Sequence, residues 1–231
     1  MTNSLDLYSK VEDLLGVKEA SPKLYAHYLL ALNSIEFNSL LDVGCGAGDF
    51  IHQMKSALDI STIKGIDLSH LMVEKTKVLG YEAQVIPLQD EELKFDVITA
   101  VFDMLNYLDT KALEEFLISI KEHLNDGGVF LCDINTLYGF ESVAVGSYVV
   151  DDDDRFLTID SDFENGVYSS EFTLFEKEDN YFKKSQEIIN QYYHKVEDIV
   201  KYSRLELISK EEVSLYGFEE ADKLFLVFVK K

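Results

Sequence analysis

The densest chemistry in the chain lies in Leu41-Asp42-Val43-Gly44-Cys45-Gly46-Ala47-Gly48-Asp49-Phe50. Three glycines in G-x-G-x-G spacing between a strand-like and a helix-like run offer bare backbone to a ligand. They sit at the positive end of the following helix. The dinucleotide fingerprint G-x-G-x-x-G would place its third glycine where this chain has Asp49. A carboxylate there repels a pyrophosphate, so a ligand without phosphates fits better. The next strand-like run ends in Gly65-Ile66-Asp67-Leu68-Ser69. An acidic residue at that end stands beside the glycine turn, at the edge where open α/β sheets bind ligands. Its carboxylate can accept hydrogen bonds from both hydroxyls of a ribose. Plainer readings exist: strand-to-helix turns use glycine for geometry alone, and Asp67 could cap the next helix. Ser69 is the better-placed cap.

These residues need a scaffold that brings strand ends together. Short apolar runs at Ser39–Val43, Thr62–Asp67, Glu82–Ile86, Phe95–Val101 and Val129–Ile134 read as strands. Helical patterns lie between them, from about Ala47 to Leu58, from Ser69 to Leu79 and from Thr110 to Leu124, where Asn125-Asp126-Gly127-Gly128 breaks the last one. Strand and helix in this rhythm predict a mostly parallel sheet with helices on both faces, a Rossmann-like α/β fold. The rhythm changes near Tyr148. Phe156–Phe163, Val167–Glu176 and Tyr181–Tyr192 alternate in polarity, with Asn165-Gly166 and Glu178–Asn180 between them. They predict an antiparallel three-stranded meander, an insertion spanning about 138–194 of one domain covering 1–231. A short helix, Val196–Tyr202, and a closing hairpin, Arg204–Val213 with Lys223–Lys230, complete a seven-stranded sheet with an antiparallel last strand.

Composition narrows the partners. With 231 residues, 47% of them hydrophobic, the chain can build a core. Lys+Arg 21 against Asp+Glu 43 leaves a net charge of −22, which opposes nucleic acid and anionic membrane as partners. Cys45 and Cys132 suit neither a disulfide framework nor a zinc site. Asp151–Asp154 reads as a solvated loop and no metal is expected. Met1–Lys10 is mixed polar with no apolar signal core, and the expected setting is the cytoplasm. The five histidines are scattered; His27 and His194 stand in segments expected to border the pocket.

Leu41–Gly48, Gly65–Ser69 and Phe95-Asp96-Val97-Ile98 resemble motifs of class I S-adenosylmethionine-dependent methyltransferases. Asn125–Gly128 resembles the turn before their fifth strand. Phe102-Asp103-Met104-Leu105-Asn106-Tyr107-Leu108 resembles a segment of a small-molecule subset that also carries a β-rich insertion, similar to sugar N,N-dimethyltransferases and glycine N-methyltransferase-like enzymes. The resemblance implies S-adenosylmethionine as cofactor, held by Asp42, Gly44, Cys45, Gly46, Gly48, Asp67, Leu68, Leu88 and Phe102. The glycines would line its methionine half and Asp42 would support the turn or the amino group. Asp67 would take the ribose, Leu68 would pack on the adenine, and Phe102 would lie near the sulfonium. Where the family often has an Asp for the adenine amino group, this chain has Pro87; Leu88 offers its backbone N–H, and Gln89 or Asp90 could stand in.

Methyl transfer from a sulfonium needs alignment of nucleophile and methyl more than an acid for the leaving group. The resemblance implies a small-molecule amine or hydroxyl acceptor, with Tyr8, Tyr25, Asp103, Asn106 and Tyr107 as candidates beside the reacting methyl. Tyr8 and Tyr25 lie in segments that fold over the cofactor in relatives. The insertion would act as a lid; its strand aromatics read first as core or sheet-face packing, and if the meander covers the cofactor mouth some would instead wall the acceptor pocket. No single general base stands out. Monomer or homodimer is expected. A non-catalytic S-adenosylmethionine-binding protein and an NAD-dependent oxidoreductase are the alternatives.

Overall fold

The computed structural model describes residues 4–231. The chain starts with α1 (Ser4–Val11), a 3-10 turn (Glu12–Leu14) and α2 (Val17–Leu32). It continues through β1 (Ser39–Val43), α3 (Asp49–Ala57), β2 (Thr62–Asp67), α4 (His70–Val78), β3 (Glu82–Val85) and β4 (Phe95–Ala100). A 3-10 turn at Met104–Tyr107 leads to α5 (Thr110–His123) and β5 (Leu124–Asn135). Then come β6 (Gly146–Asp152), β7 (Arg155–Glu164), β8 (Val167–Glu178), β9 (Tyr181–Tyr192), α6 (Val196–Ser203), β10 (Glu206–Val213) and β11 (Lys223–Val229).

Seven strands form one sheet in the order β10-β11-β5-β4-β1-β2-β3. β1 to β5 run parallel, and β11 joins β5 antiparallel, with Lys223 opposite Asn135. Chain order reverses between β1 and β4, which opens a crevice at their carboxyl ends. Alternation along the strands feeds two cores. Phe130, Cys132 and Ile134 of β5 face α5 and α6, whereas Val129 and Leu131 face α2 and α3. Local signals start the helices as expected. The Ser69 hydroxyl accepts from the Met72 N–H at 3.4 Å, and the Asp109 carboxylate from the Ala112 N–H at 2.9 Å.

Three expectations need correction. The insertion has four strands, in the order β6-β7-β8-β9, instead of three. β6 is an almost wholly exposed edge strand, so burial imposes no alternation on its sequence. For the same reason Asp151–Asp154 is no open loop: Asp151 and Asp152 end β6, and Asp153–Asp154 make its tight turn into β7. Asn125–Gly128 does not separate helix from strand either; β5 begins at Leu124, directly after α5.

The four-stranded sheet does not stand free. Leu157, Ile159, Phe172, Leu174 and Ile189 bury against Leu7 and Val11 of α1. Arg155 forks onto Asp13 at 2.7 and 3.0 Å and reaches the Lys10 carbonyl at 2.9 Å. Lys75 of α4 meets Glu12 at 2.7 Å from the other side. The N-terminal segment is thus clamped between insertion and main sheet. No helix among the described residues is long and apolar enough to cross a membrane.

Gly65, opposite Asp42 in the β1–β2 register, lets the glycine turn pack onto β2. A Cβ there would lie 2.6 Å from Cys45 Sγ and 2.9 Å from Ile51 Cδ1. Gly65→Ala should therefore destabilise by about 1–3 kcal/mol. Urea unfolding measures it, and a midpoint equal to wild type would refute the tight packing.

Candidate functional site

The glycine turn folds as it does because three of its residues need left-handed backbone. Gly44, Gly46 and Gly48 have φ of 74°, 53° and 86°. The turn is pinned to β2: the Gly44 and Cys45 N–H groups donate to the Ile66 carbonyl at 2.8 and 3.1 Å. Asp67 at the end of β2 completes the clamp, accepting from the Gly46 N–H at 3.0 Å and the Ser69 N–H at 2.8 Å. Asp67 is therefore both a brace for the turn and a carboxylate at the rim.

Above the carboxyl ends of β1, β2 and β4 lies a cavity of about 390 Å³. Asp42, Gly44, Cys45, Gly46, Asp49 and Asp67 line its floor. Leu68, Ile86, Pro87, Leu88 and Gln89 form one end, with Ala112, Glu115 and Phe116 of α5 beside them. Tyr8, Glu12, Ser21 and Tyr25 of the N-terminal segment close it, and Phe102, Met104 and Tyr107 make the remaining wall. A Cβ on Gly46 would meet no protein atom within 4 Å, so this glycine faces open space.

The lining is one-sided in charge. Glu12, Asp42, Asp49, Asp67 and Glu115 contribute carboxylates, while no described Lys, Arg or His lines the cavity. Asp42 is 1% exposed, and its carboxylate accepts from the Thr99 hydroxyl at 2.7 Å. Burial pushes its carboxyl up to about 7; the Thr99 bond opposes this and the Asp67 charge adds to it. Burial also raises Asp67, against the pull of its backbone N–H donors. Such a floor favours a cation and disfavours phosphates. Burial likewise lifts the phenols of Tyr8, Tyr25 and Tyr107 and the Cys45 thiol, so all four stay protonated near neutral pH.

Several sequence candidates fall elsewhere. Gly48 turns toward Thr76 of α4, 2.9 Å from a would-be Cβ, and does not line the cavity. Asp103 and Asn106 do not line it either. Asp103 meets Lys223 and accepts from the Gln191 amide. Asn106, wholly buried, donates to the Tyr192 carbonyl at 2.7 Å and accepts from the Asn135 N–H at 3.0 Å. Both carry out structural pairing that local sequence does not reveal. No insertion aromatic lines the cavity: Phe172 backs Tyr8 edge-on at 6.5 Å, and Phe163 stacks on Phe140 at 5.3 Å. His194 is held by the Leu108 carbonyl at 2.9 Å, and His27 meets Glu211 at the surface. Asp90 is absent from the lining, whereas Gln89 is present. Ala112, Glu115 and Phe116 were not legible as site residues, because nothing local marks a helix flank that packs over a strand end; Met104 and Leu108 lie in the Phe102–Leu108 segment, where no residue type sets them apart.

Asp42 gives this site a pH signature. The ligand-free fold holds its proton up to about pH 7, the unfolded chain only to about pH 4. Stability should therefore fall as pH rises through that window, by about 4 kcal/mol if Asp42 acts alone. Asp42→Asn should flatten the fall between about pH 4.5 and about pH 7.5 in denaturant titrations. An unchanged slope would assign the proton to another group.

Comparison with known proteins places this geometry. Residues 41–130 match the family model of a methyltransferase domain. The mitochondrial ubiquinone biosynthesis O-methyltransferase of Candida albicans is 30% identical over 125 residues, 48% of this chain and 38% of that protein. The chain thus spans less than half the length of that curated relative. An S-adenosylmethionine-dependent methyltransferase structure from Clostridium acetobutylicum has a TM-score of 0.78 at 22% identity, covering 99% of both chains. The sugar N-methyltransferase KedS8 from Streptoalloteichus has a TM-score of 0.73 at 18% identity, covering 99% of this chain and 93% of its own. Streptomyces venezuelae DesVI gives 0.72 at 21%, with 97% and 98% covered. Residues 41–130 therefore match the methyltransferase domain family, and the chain as a whole has the fold of the S-adenosylmethionine-dependent methyltransferases.

Proposed function

We propose that the chain is an S-adenosylmethionine-dependent methyltransferase acting on the amine or hydroxyl of a small molecule. One observation carries the reading: a cavity at the crevice of the sheet is floored by a glycine turn and carboxylates and lined by no described basic residue. That lining suits a cationic nucleoside without phosphates. The residues present fit the group. Asp67 has lone pairs left for ribose hydroxyls after its two backbone bonds, Gly46 faces open space, and no described cation pairs with buried Asp42. Gly44, Cys45, Gly46 and Asp42 would hold the methionine half. Leu68, Leu88 and Gln89 would enclose the adenine, with Glu115 on the α5 side.

When bound, S-adenosylmethionine supplies an electrophilic methyl group on a cationic sulfur. The protein's own part is alignment and exclusion of water. Tyr25, edge-on to Phe50 at 5.2 Å and to Phe102 at 5.8 Å, is rigidly seated in the wall. Tyr8 and Tyr107 join the insertion's apolar cluster, so the insertion shapes the cavity from behind. With their phenols held protonated, Tyr8, Tyr25 and Tyr107 orient an acceptor by hydrogen bonding and do not take its proton at neutral pH. The acceptor must then arrive with a free lone pair. The similar fold of sugar N-methyltransferases, together with the acidic lining, favours an amine.

Asp67→Ala should weaken S-adenosylhomocysteine binding by about 1.5–3 kcal/mol, roughly ten- to a hundredfold. Gly46→Val should abolish it, since a β-branched residue is strained at φ 53° and would fill the ligand's space. Isothermal titration calorimetry tests both, and wild-type affinity in either variant would defeat the assignment.

Affinity for S-adenosylmethionine should fall as pH drops below about 7, because the cation is met by an ionised Asp42 and the free protein there keeps the proton. Titrations across that range should show proton release on binding. With small amines as acceptors, turnover should rise with pH until the amine is deprotonated; efficient methylation of tRNA or DNA at physiological salt would overturn the acceptor class.

A further inference from the structure

Directly after β4 the backbone does something its residues do not favour. Phe102 and Asp103 have φ of 56° and 50°, two consecutive left-handed residues, neither of them glycine. Such a pair persists only where its surroundings over-determine it. Here they do. The Phe102 N–H donates to Asp133 Oδ1 at 2.7 Å and the Asp103 N–H to Asp133 Oδ2 at 2.8 Å, one carboxylate spanning both amides. Asp133 is itself fixed by the Tyr28 hydroxyl at 2.8 Å and by Lys223 Nζ at 3.2 Å. Lys223 in turn donates to Asn135 at 2.8 Å and meets Asp103.

The turn held in this way is a working wall. Phe102 and Met104, on either side of Asp103, line the cavity, and Met104 Cγ lies 2.9 Å from where a Cβ on Gly44 would be. A change in the turn is therefore felt at the glycine turn. Asp133 is 0% exposed and does not itself line the cavity; its direct hydrogen bonds toward the lining are to the backbone of the turn.

We propose that Asp133, seated by Lys223, is a positioning residue that sets the Phe102–Met104 wall against the glycine turn and thereby tunes cofactor affinity. The binding consequence rests on reading the cavity as an S-adenosylmethionine site; the backbone consequence does not.

The test is Asp133→Asn, which keeps the shape but turns one acceptor facing an N–H into a donor. Amide hydrogen exchange at Phe102 and Asp103 should accelerate at least tenfold, with β1 and β2 unchanged. The calorimetric Kd for S-adenosylhomocysteine should rise at least tenfold. Phe228→Leu, which trims the core beside Phe130 and touches neither the turn nor the cavity, should lower Tm yet leave that Kd within twofold. If Asp133→Asn does not fold, Lys223→Met replaces it, with acceleration of at least threefold confined to the same two amides. Exchange that is unchanged, or that rises in step across the whole sheet, overturns the proposal. So does an unchanged Kd beside accelerated exchange. If the wild type binds no S-adenosylhomocysteine while the two amides respond as expected, the cavity's assignment fails and the positioning of the turn stands.

Discussion

A carboxylate without access to water must be surrounded by donors, and Asp133 collects four of them from three distant parts of the chain. Tyr28 comes from α2, the two amides from the turn after β4, and Lys223 from β11. Leaving any buried charge uncompensated costs several kcal/mol, so these parts are tied to one geometry. The antiparallel pairing of β11 with β5 is what delivers Lys223 opposite Asn135. The last strand therefore completes a site whose recognisable motifs lie in the first half of the chain.

The same logic of burial organises the cavity. Carboxylates gather at the ends of β1 and β2 because a parallel sheet brings those ends together, and the chain supplies no described basic residue to neutralise them. Asp42 responds by keeping its proton near neutral pH, while Asp67 spends part of its capacity on the Gly46 and Ser69 amides. A floor of this kind favours a cation over an anion. The N-terminal segment closes over it through contacts on both sides, Lys75 from α4 and Arg155 from the insertion. The insertion's contribution is therefore to hold the roof, with Phe172 behind Tyr8, and not to present its own aromatics.

The parallel core was legible to within a residue or two, as β1, β2 and β4 show, because buried strands and amphipathic helices leave strong periodic signals. The glycine turn and Asp67 were legible for a different reason: their conformations and chemistry demand particular residue types. β6 was not legible, since an exposed edge strand has no face to encode. Asp103 and Asn106 resemble site residues by position, yet their side chains are engaged by Gln191, Lys223, Tyr192 and Asn135. Pairings between residues so far apart in the chain leave no trace in local spacing.

By itself the sequence determined the class of fold, the crevice at the strand ends, and the residue types that stand there, Gly44, Gly46 and Asp67, since each of these follows from local propensity or residue type. Only the tertiary structure decided which residues close the cavity. It placed Met104 against Gly44, brought Glu115 and Phe116 in from α5, and kept the insertion strands behind Tyr8. It also decided that Asp133, an unremarkable position within a buried strand, governs the turn after β4. The physical reason is that burial, charge compensation and left-handed strain depend on what surrounds a group in three dimensions, which short-range spacing does not encode.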